Sequence, residues 1–130
     1  MGDSSAGELE RAIASFKNKR AQAIVVYGST LTHIYRKTIT DLAITHRLPT
    51  ICLDVSLLPV GYLMCYGWDR QANARLAADF VDKILRGAKA GDVPIQQPTT
   101  FLLGVNLKTA KALGLTIPQT LLRRADQVIE

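Results

Sequence analysis

Ala23-Ile-Val-Val-Tyr27, followed at once by Gly28-Ser-Thr30, is the stretch on which the fold turns. A strand with one wet face alternates apolar and polar residues, because successive side chains point to opposite sides; this one does not alternate. Such a run suits a central strand of a parallel sheet covered by helices on both faces. Gly28 then allows a tight turn, and Ser29 and Thr30 offer hydroxyls to cap a helix. Leu31, Ile34, Tyr35, Thr38, Ile39, Leu42 and Ala43 mark one face of that helix, which Pro49 stops.

The same grammar extends outward in both directions. Upstream, Ser5-x-x-Glu8 has the spacing of a capping box, and Leu9, Ala12, Ile13 and Phe16 predict a helix from about Glu8 to Arg20. Downstream, Thr50-Ile-Cys-Leu-Asp54 predicts a strand, Ser56 to Pro59 a turn, and Tyr62 to Tyr66 a third strand. Asp69 caps a long helix whose buried face is expected to be Ala72, Leu76, Ala77, Phe80, Val81, Ile84 and Leu85, with Gly87 as terminator. Ala88 to Thr100, holding Gly91, Pro94 and Pro98, reads as an extended connector. Phe101 to Val105 is a fourth strand, Asn106 caps a short helix ending before Gly114, and Pro118 opens a final helix running through Arg124 to Glu130. Strands alternating with helices predict a three-layer α/β fold with a mostly parallel sheet and helices on both faces. Val25, Val26, Ile51, Leu53, Leu63 and Met64 are its expected core.

Composition sets the outer bounds. A chain of 130 residues is one domain or part of one, and 48% hydrophobic content is enough for a core. No run reaches the roughly 18 apolar residues of a membrane span, and no basic-then-apolar secretory signal opens the chain, so no direct membrane insertion is expected. The net charge is +5. Its cations are scattered over helix faces and ends (Lys17, Lys19, Arg20, Arg36, Lys37, Arg123, Arg124), a pattern of solvated surfaces that predicts no nucleic-acid partner. Cys52 and Cys65 fall in buried strands without metal-ligand spacing; they read as free core thiols, with a disulfide in an oxidising compartment as the alternative.

Gly61-Tyr-Leu-Met-Cys-Tyr-Gly67, Asp82-Lys-Ile-Leu-Arg-Gly87, the run from Phe101 through Leu107-Lys-Thr-Ala-Lys-Ala-Leu-Gly-Leu-Thr-Ile-Pro118, and the closing Arg124-Ala-Asp-Gln-Val-Ile-Glu130 resemble the carboxy-terminal end of ABC-transporter substrate-binding proteins. The group is the type I periplasmic-binding-protein family that includes tryptophan- and phenylalanine-type binders. The resemblance runs back through Leu48-Pro-Thr-Ile51 and Ala23-Ile-Val-Val26, and so covers nearly the whole chain. It implies an incomplete type I periplasmic-binding-protein fold. Residues 1–130 would be a single α/β unit from the carboxy-terminal part of a bilobal protein, with lobe crossovers near Val60 and within 94–100. Cys65 stands where the family pattern usually has Ser, and Gly61-Tyr62 where it often has Gly-Gly.

In open parallel sheets, ligands sit beyond the carboxyl ends of the strands. Three loops belong there: Tyr27-Gly28-Ser29-Thr30, Asp54-Val55-Ser56 and Cys65-Tyr66-Gly67-Trp68-Asp69. The first either holds a ligand carboxylate against a helix amino terminus or simply caps the helix. Tyr66, Gly67 and Trp68 offer aromatic platforms at a flexible strand tip, or else a core phenol and a surface indole. Asp54 and Asp69 are natural acceptors for a ligand ammonium, and each also stands where a helix cap would. The candidate solute-binding set is therefore Tyr27, Gly28, Ser29, Thr30, Asp54, Tyr66, Gly67, Trp68 and Asp69.

Catalysis finds little support. His33 and His46 lie thirteen positions apart, which is no ligand spacing, and no nucleophile elbow, phosphate loop or complete dinucleotide fingerprint is present. No catalytic residue, metal or cofactor is expected. The resemblance implies a non-catalytic protein that captures a small polar or aromatic solute such as an amino acid, presents it to an ABC permease, and works in the periplasm or another extracytoplasmic space. An effector-sensing domain of a transcription regulator is the alternative from another class, and a stand-alone remnant or interaction module a third. Exposed apolar surface on an incomplete bilobal fold also predicts a homodimer.

Overall fold

The computed structural model describes residues 3–130, with side chains from Gly7 onward. In chain order the elements are α1 (Asp3–Asn18), β1 (Ile24–Val26), α2 (Thr30–Ile34), α3 (Arg36–Thr45), β2 (Thr50–Cys52), a 3-10 turn (Val55–Val60), β3 (Met64–Trp68), α4 (Arg70–Leu85), a second 3-10 turn (Ala90–Asp92), β4 (Phe101–Asn106), α5 (Leu107–Leu113), α6 (Gln119–Leu122) and β5 (Gln127–Ile129). The five strands form one sheet in the order β1-β2-β3-β4-β5. Pairings β1 to β2, β2 to β3 and β4 to β5 are parallel. Asn106 N donates to Leu63 O and Asp69 N to Thr100 O, the crossed order of an antiparallel neighbour, so the sheet is mixed and mostly parallel.

The chain divides into two compact units, residues 1–67 with 102–130, and residues 68–101. The larger holds the sheet and two adjoining cores. Ile13, Ile39 and Leu48 pack with Ile24 and Val26 in one; Cys52, Leu58, Tyr62 and Cys65 pack with Val55, Val60 and Ile129 in the other. Asn106 ties them to the carboxyl half: its Nδ2 donates to Leu58 O (3.1 Å) and its Oδ1 accepts from Thr109 N (3.0 Å). One residue thus caps α5 and satisfies a buried carbonyl of the 3-10 turn. The smaller unit consists of α4, the second 3-10 turn and an extended segment, and none of its residues is buried.

Several expectations need correction. Val25 is 54% exposed. Val26, Ile51, Leu53 and Met64 are half-buried, and of the six expected core residues only Leu63 is fully buried. β1 is wet on one side because α1 and α3 pack against Ile24 and Val26, on the other. The expected buried face of α4 is largely solvated, with Ala77, Val81, Ile84 and Leu85 exposed. α1 begins at Asp3, before the predicted start, and the Ser5 side chain of the predicted capping box lies outside the described residues. The helix expected over 31–46 is broken at Tyr35 into α2 and α3. The predicted final helix stops at Leu122, and Gln127–Ile129 pairs instead with Gly104 to Asn106 as β5. Asp126 sets that strand's start, since its Oδ2 accepts from Leu103 N and its own N–H donates to Leu103 O, both at 2.8 Å. Cys52 and Cys65 are joined in a disulfide and are not free thiols. They stand directly opposite one another in the β2–β3 register with Cα atoms 4.5 Å apart, within the range a disulfide spans.

Candidate functional site

β1, β2 and β3 are neighbours in parallel, so the loops after them open on one edge of the larger unit. The first is held by a local network. Ser29 Oγ accepts from Thr32 N (3.1 Å) while Ser29 N donates to Thr32 Oγ1 (2.8 Å), a reciprocal capping box. Thr32 Oγ1 also lies 2.9 Å from Tyr27 O as a donor. Thr30 is the first residue of α2, Gly28 has open space around its Cα, and the Tyr27 ring is 71% exposed. Thr32 was missed from sequence; Ser29-x-x-Thr32 has capping-box spacing, but Thr in place of Glu or Gln hid the signal.

After β2, Asp54 caps the 3-10 turn: its Oδ1 accepts from Ser56 N (3.0 Å) and from Ser56 Oγ (2.6 Å). At β3, Tyr66 projects into solvent with its side 53% exposed, while Gly67 faces inward and is buried. An added Cβ at Gly67 would sit 1.8 Å from Leu53 O, so β3 can approach the β2 loop this closely only with glycine. The larger unit therefore brings together the Tyr27–Thr30 loop, Asp54, Tyr66 and Gly67 along one sheet edge. Two phenol rings and a carboxylate on such an edge can stack on and pair with a small solute; neither histidine is among them.

Trp68 and Asp69 begin the smaller unit. The indole is 46% exposed. Asp69 Oδ1 accepts from Gln71 N (2.8 Å) and Ala72 N (3.1 Å), the helix cap read from sequence. The same unit holds a cleft of about 410 Å³ between α4 and the extended segment, lined by Asn73, Leu76, Gln96, Gln97, Thr99 and Thr100 among others. It includes none of the nine expected residues and no charged side chain. Among the described residues no cluster of His, Cys, Asp or Glu could hold a metal ion, and no helix is long and apolar enough to cross a membrane.

The sequence model of a family described as ABC transporter substrate binding protein matches residues 4–129. Among solved structures, a conserved domain protein from Vibrio cholerae O1 biovar El Tor superposes with a TM-score of 0.84 at 22% identity, over 95% of this chain and 41% of that one. The ABC domain in complex with L-Trp from Streptococcus pneumonia gives 0.82 at 25% identity, over 95% and 43%. The ligand-free, open structure of a substrate binding protein with adhesive properties from Clostridium difficile gives 0.71 at 22%, over 95% and 41%. No curated protein sequence gives a match. The chain thus spans about two-fifths of each of these structures' length.

Proposed function

This chain belongs to the family of ABC transporter substrate binding proteins, and from that premise we propose that its strand-end loops supply part of a non-catalytic site for a small polar or aromatic solute such as an amino acid. The observation that carries this reading is the juxtaposition of exposed Tyr27 and Tyr66 with Asp54 at the carboxyl edge of three parallel strands. Tyr27 and Tyr66 would stack on the solute, and hydroxyls of Ser29 and Thr30 would meet its polar end. Asp54, whose Oδ1 accepts from Ser56, would supply the negative charge that meets an ammonium group. Gly67 would keep the edge open by its close backbone approach. Trp68 and Asp69 follow directly in the chain, Asp69 as helix cap. The L-Trp held by the Streptococcus structure supports an amino acid as the first class to test. An ABC permease as partner and an extracytoplasmic location follow from family membership; the Cys52–Cys65 disulfide suits an oxidising compartment.

Affinity of this chain alone is expected to be low. Solute pockets typically bury about 70–90% of a ligand, whereas the loops named here form one open edge, and the cost of immobilising the ligand is incurred in full however few contacts are made. Trp68 is the sole tryptophan, so its emission reports on the neighbouring strand end. Titration with phenylalanine, leucine and glutamate, paired with calorimetry, should give saturation only at millimolar concentration, with phenylalanine strongest and Tyr66→Ala weakening it several-fold. Equal response to all three solutes, unchanged in Tyr66→Ala, would refute the reading.

A further inference from the structure

The Cys52–Cys65 disulfide lies at one particular height of the sheet. β2 ends at Cys52, so Cys52 and Cys65 form the last pair of the β2–β3 register. Asp54 follows Cys52 by two residues and Tyr66 follows Cys65 by one, which puts the bridge directly beneath the carboxyl edge that carries both. The ladder it closes is short: β2 has three residues, and it shares two registered pairs with β3. Ends of so short a ladder open at little cost unless something else holds them. Both cysteines are fully buried, in a cluster with Leu58 and Val55 of the 3-10 turn that Asp54 caps. Just past the bridge, Gly67 and Leu53 O approach more closely than any Cβ allows. Every one of these contacts is internal to the larger unit.

Resting on the solute-binding reading above, we propose that Cys52 and Cys65 are a positioning pair for the solute edge: the closed bridge fixes the spacing of Asp54 and Tyr66, and with it the preference for a solute that carries both an ammonium group and a ring. A solute that must meet two groups gains most when their spacing is set before it arrives, because no ordering cost is then incurred on binding. Two separate thiols need more room in the packed cluster than one bonded pair, so opening the bridge displaces the turn below Asp54 relative to β3. Closure is a thiol–disulfide exchange: two protons and two electrons pass from the cysteines to the disulfide of an oxidant, which leaves as two thiols, and the Sγ–Sγ bond forms. Because both cysteines are buried, neither oxidant nor reductant meets them in the folded chain, and their state is set as the chain folds. The edge is therefore selective in a chain folded where disulfides form, and slack in one folded under reducing conditions.

Nuclear magnetic resonance titration of three forms tests this: the oxidised chain, the chain unfolded in urea, reduced with dithiothreitol and refolded under reductant, and Cys52→Ala/Cys65→Val. In the reduction, dithiothreitol gives two electrons and two protons to the cysteines while its own sulfurs close into a ring disulfide. The solutes are phenylalanine and 3-phenylpropionate, which has the same ring and carboxylate without the ammonium. The oxidised chain should prefer phenylalanine about five-fold or more, and the preference should fall to within about two-fold in the other forms. A bridge that only stabilises the fold would weaken both solutes alike and leave their ratio unchanged, which overturns the proposal. Amide exchange gives a readout that needs no solute: opening the bridge should speed Ser56 and Gly67 about ten-fold or more and leave Thr109 within about two-fold. Unchanged exchange at Ser56 and Gly67 overturns the proposal as well. If the oxidised chain binds neither solute, the solute-binding reading fails, and the exchange comparison alone decides whether the bridge sets the edge. If circular dichroism shows that the reduced chain has lost its fold, Cys52→Ala/Cys65→Val, which refills the cluster with apolar side chains, carries both comparisons.

Discussion

At Gly67 the difference between a hydrogen and a methyl decides whether β3 can sit beside the loop after β2. Gly67→Ala drives Cβ to 1.8 Å from a main-chain oxygen that cannot swing aside; we expect a loss of at least about 3 kcal/mol in urea denaturation. Gly28→Ala, with open space around it, should stay within about 0.5 kcal/mol. The sequence displayed both glycines equally, and only the neighbouring backbone separates them. Tyr62 makes a second residue-scale case. Burial pushes its phenol above the ordinary pKa, with the nearby Arg36 charge pulling part of the way back. The folded chain therefore keeps this proton to higher pH than the unfolded chain does. The associated stability is fully present below about pH 10 and is lost as pH rises through the folded value. Tyr62→Phe should flatten that alkaline decline, seen as a smaller shift in urea midpoint between about pH 8 and pH 11.

Elements were legible where a local signal closes on itself. Asp69 and Asn106 cap α4 and α5 as read, and Gly114 ends α5 at φ 71°, because caps are satisfied by backbone groups within a few residues. Signals that depend on distant partners were not. The residues from Arg124 to Glu130 carry helix-compatible composition, yet they supply β5 because β4 offers an unpaired edge and Asp126 bonds Leu103. α4 shows the converse. Its apolar spacing was legible, yet Ala77, Val81, Ile84 and Leu85, expected to be buried, are exposed, because a pattern names a face without naming what covers it. Amides of α4, which has no buried residue, should exchange with solvent well before those of α5, whose Thr109 and Ala110 are buried.

Over the whole molecule, stability rests on the larger unit, where the disulfide crosses two central strands of the sheet inside a buried cluster. Cys52→Ser/Cys65→Ser should lose about 3 kcal/mol, the chain-entropy value for a loop of this separation, and lower Tm by about 10 °C. A drop under about 2 °C would mean that packing alone holds β2 to β3. The α/β class and the alternation of strands and helices as far as Pro118 were determined by the sequence itself, since apolar periodicity, caps and turn residues act over a few positions. The strand-end positions of the Tyr27–Thr30 loop, Asp54 and Tyr66–Gly67 were legible too, because strand ends in an open parallel sheet fall on one edge whatever fills the core. What tertiary structure alone decided was pairing: Cys52 with Cys65, β5 with β4, Gly67 against Leu53, and which apolar face meets protein or water. Such contacts join residues far apart in the chain, and a side chain's character fixes only that it needs a partner, while three-dimensional packing fixes which one it receives.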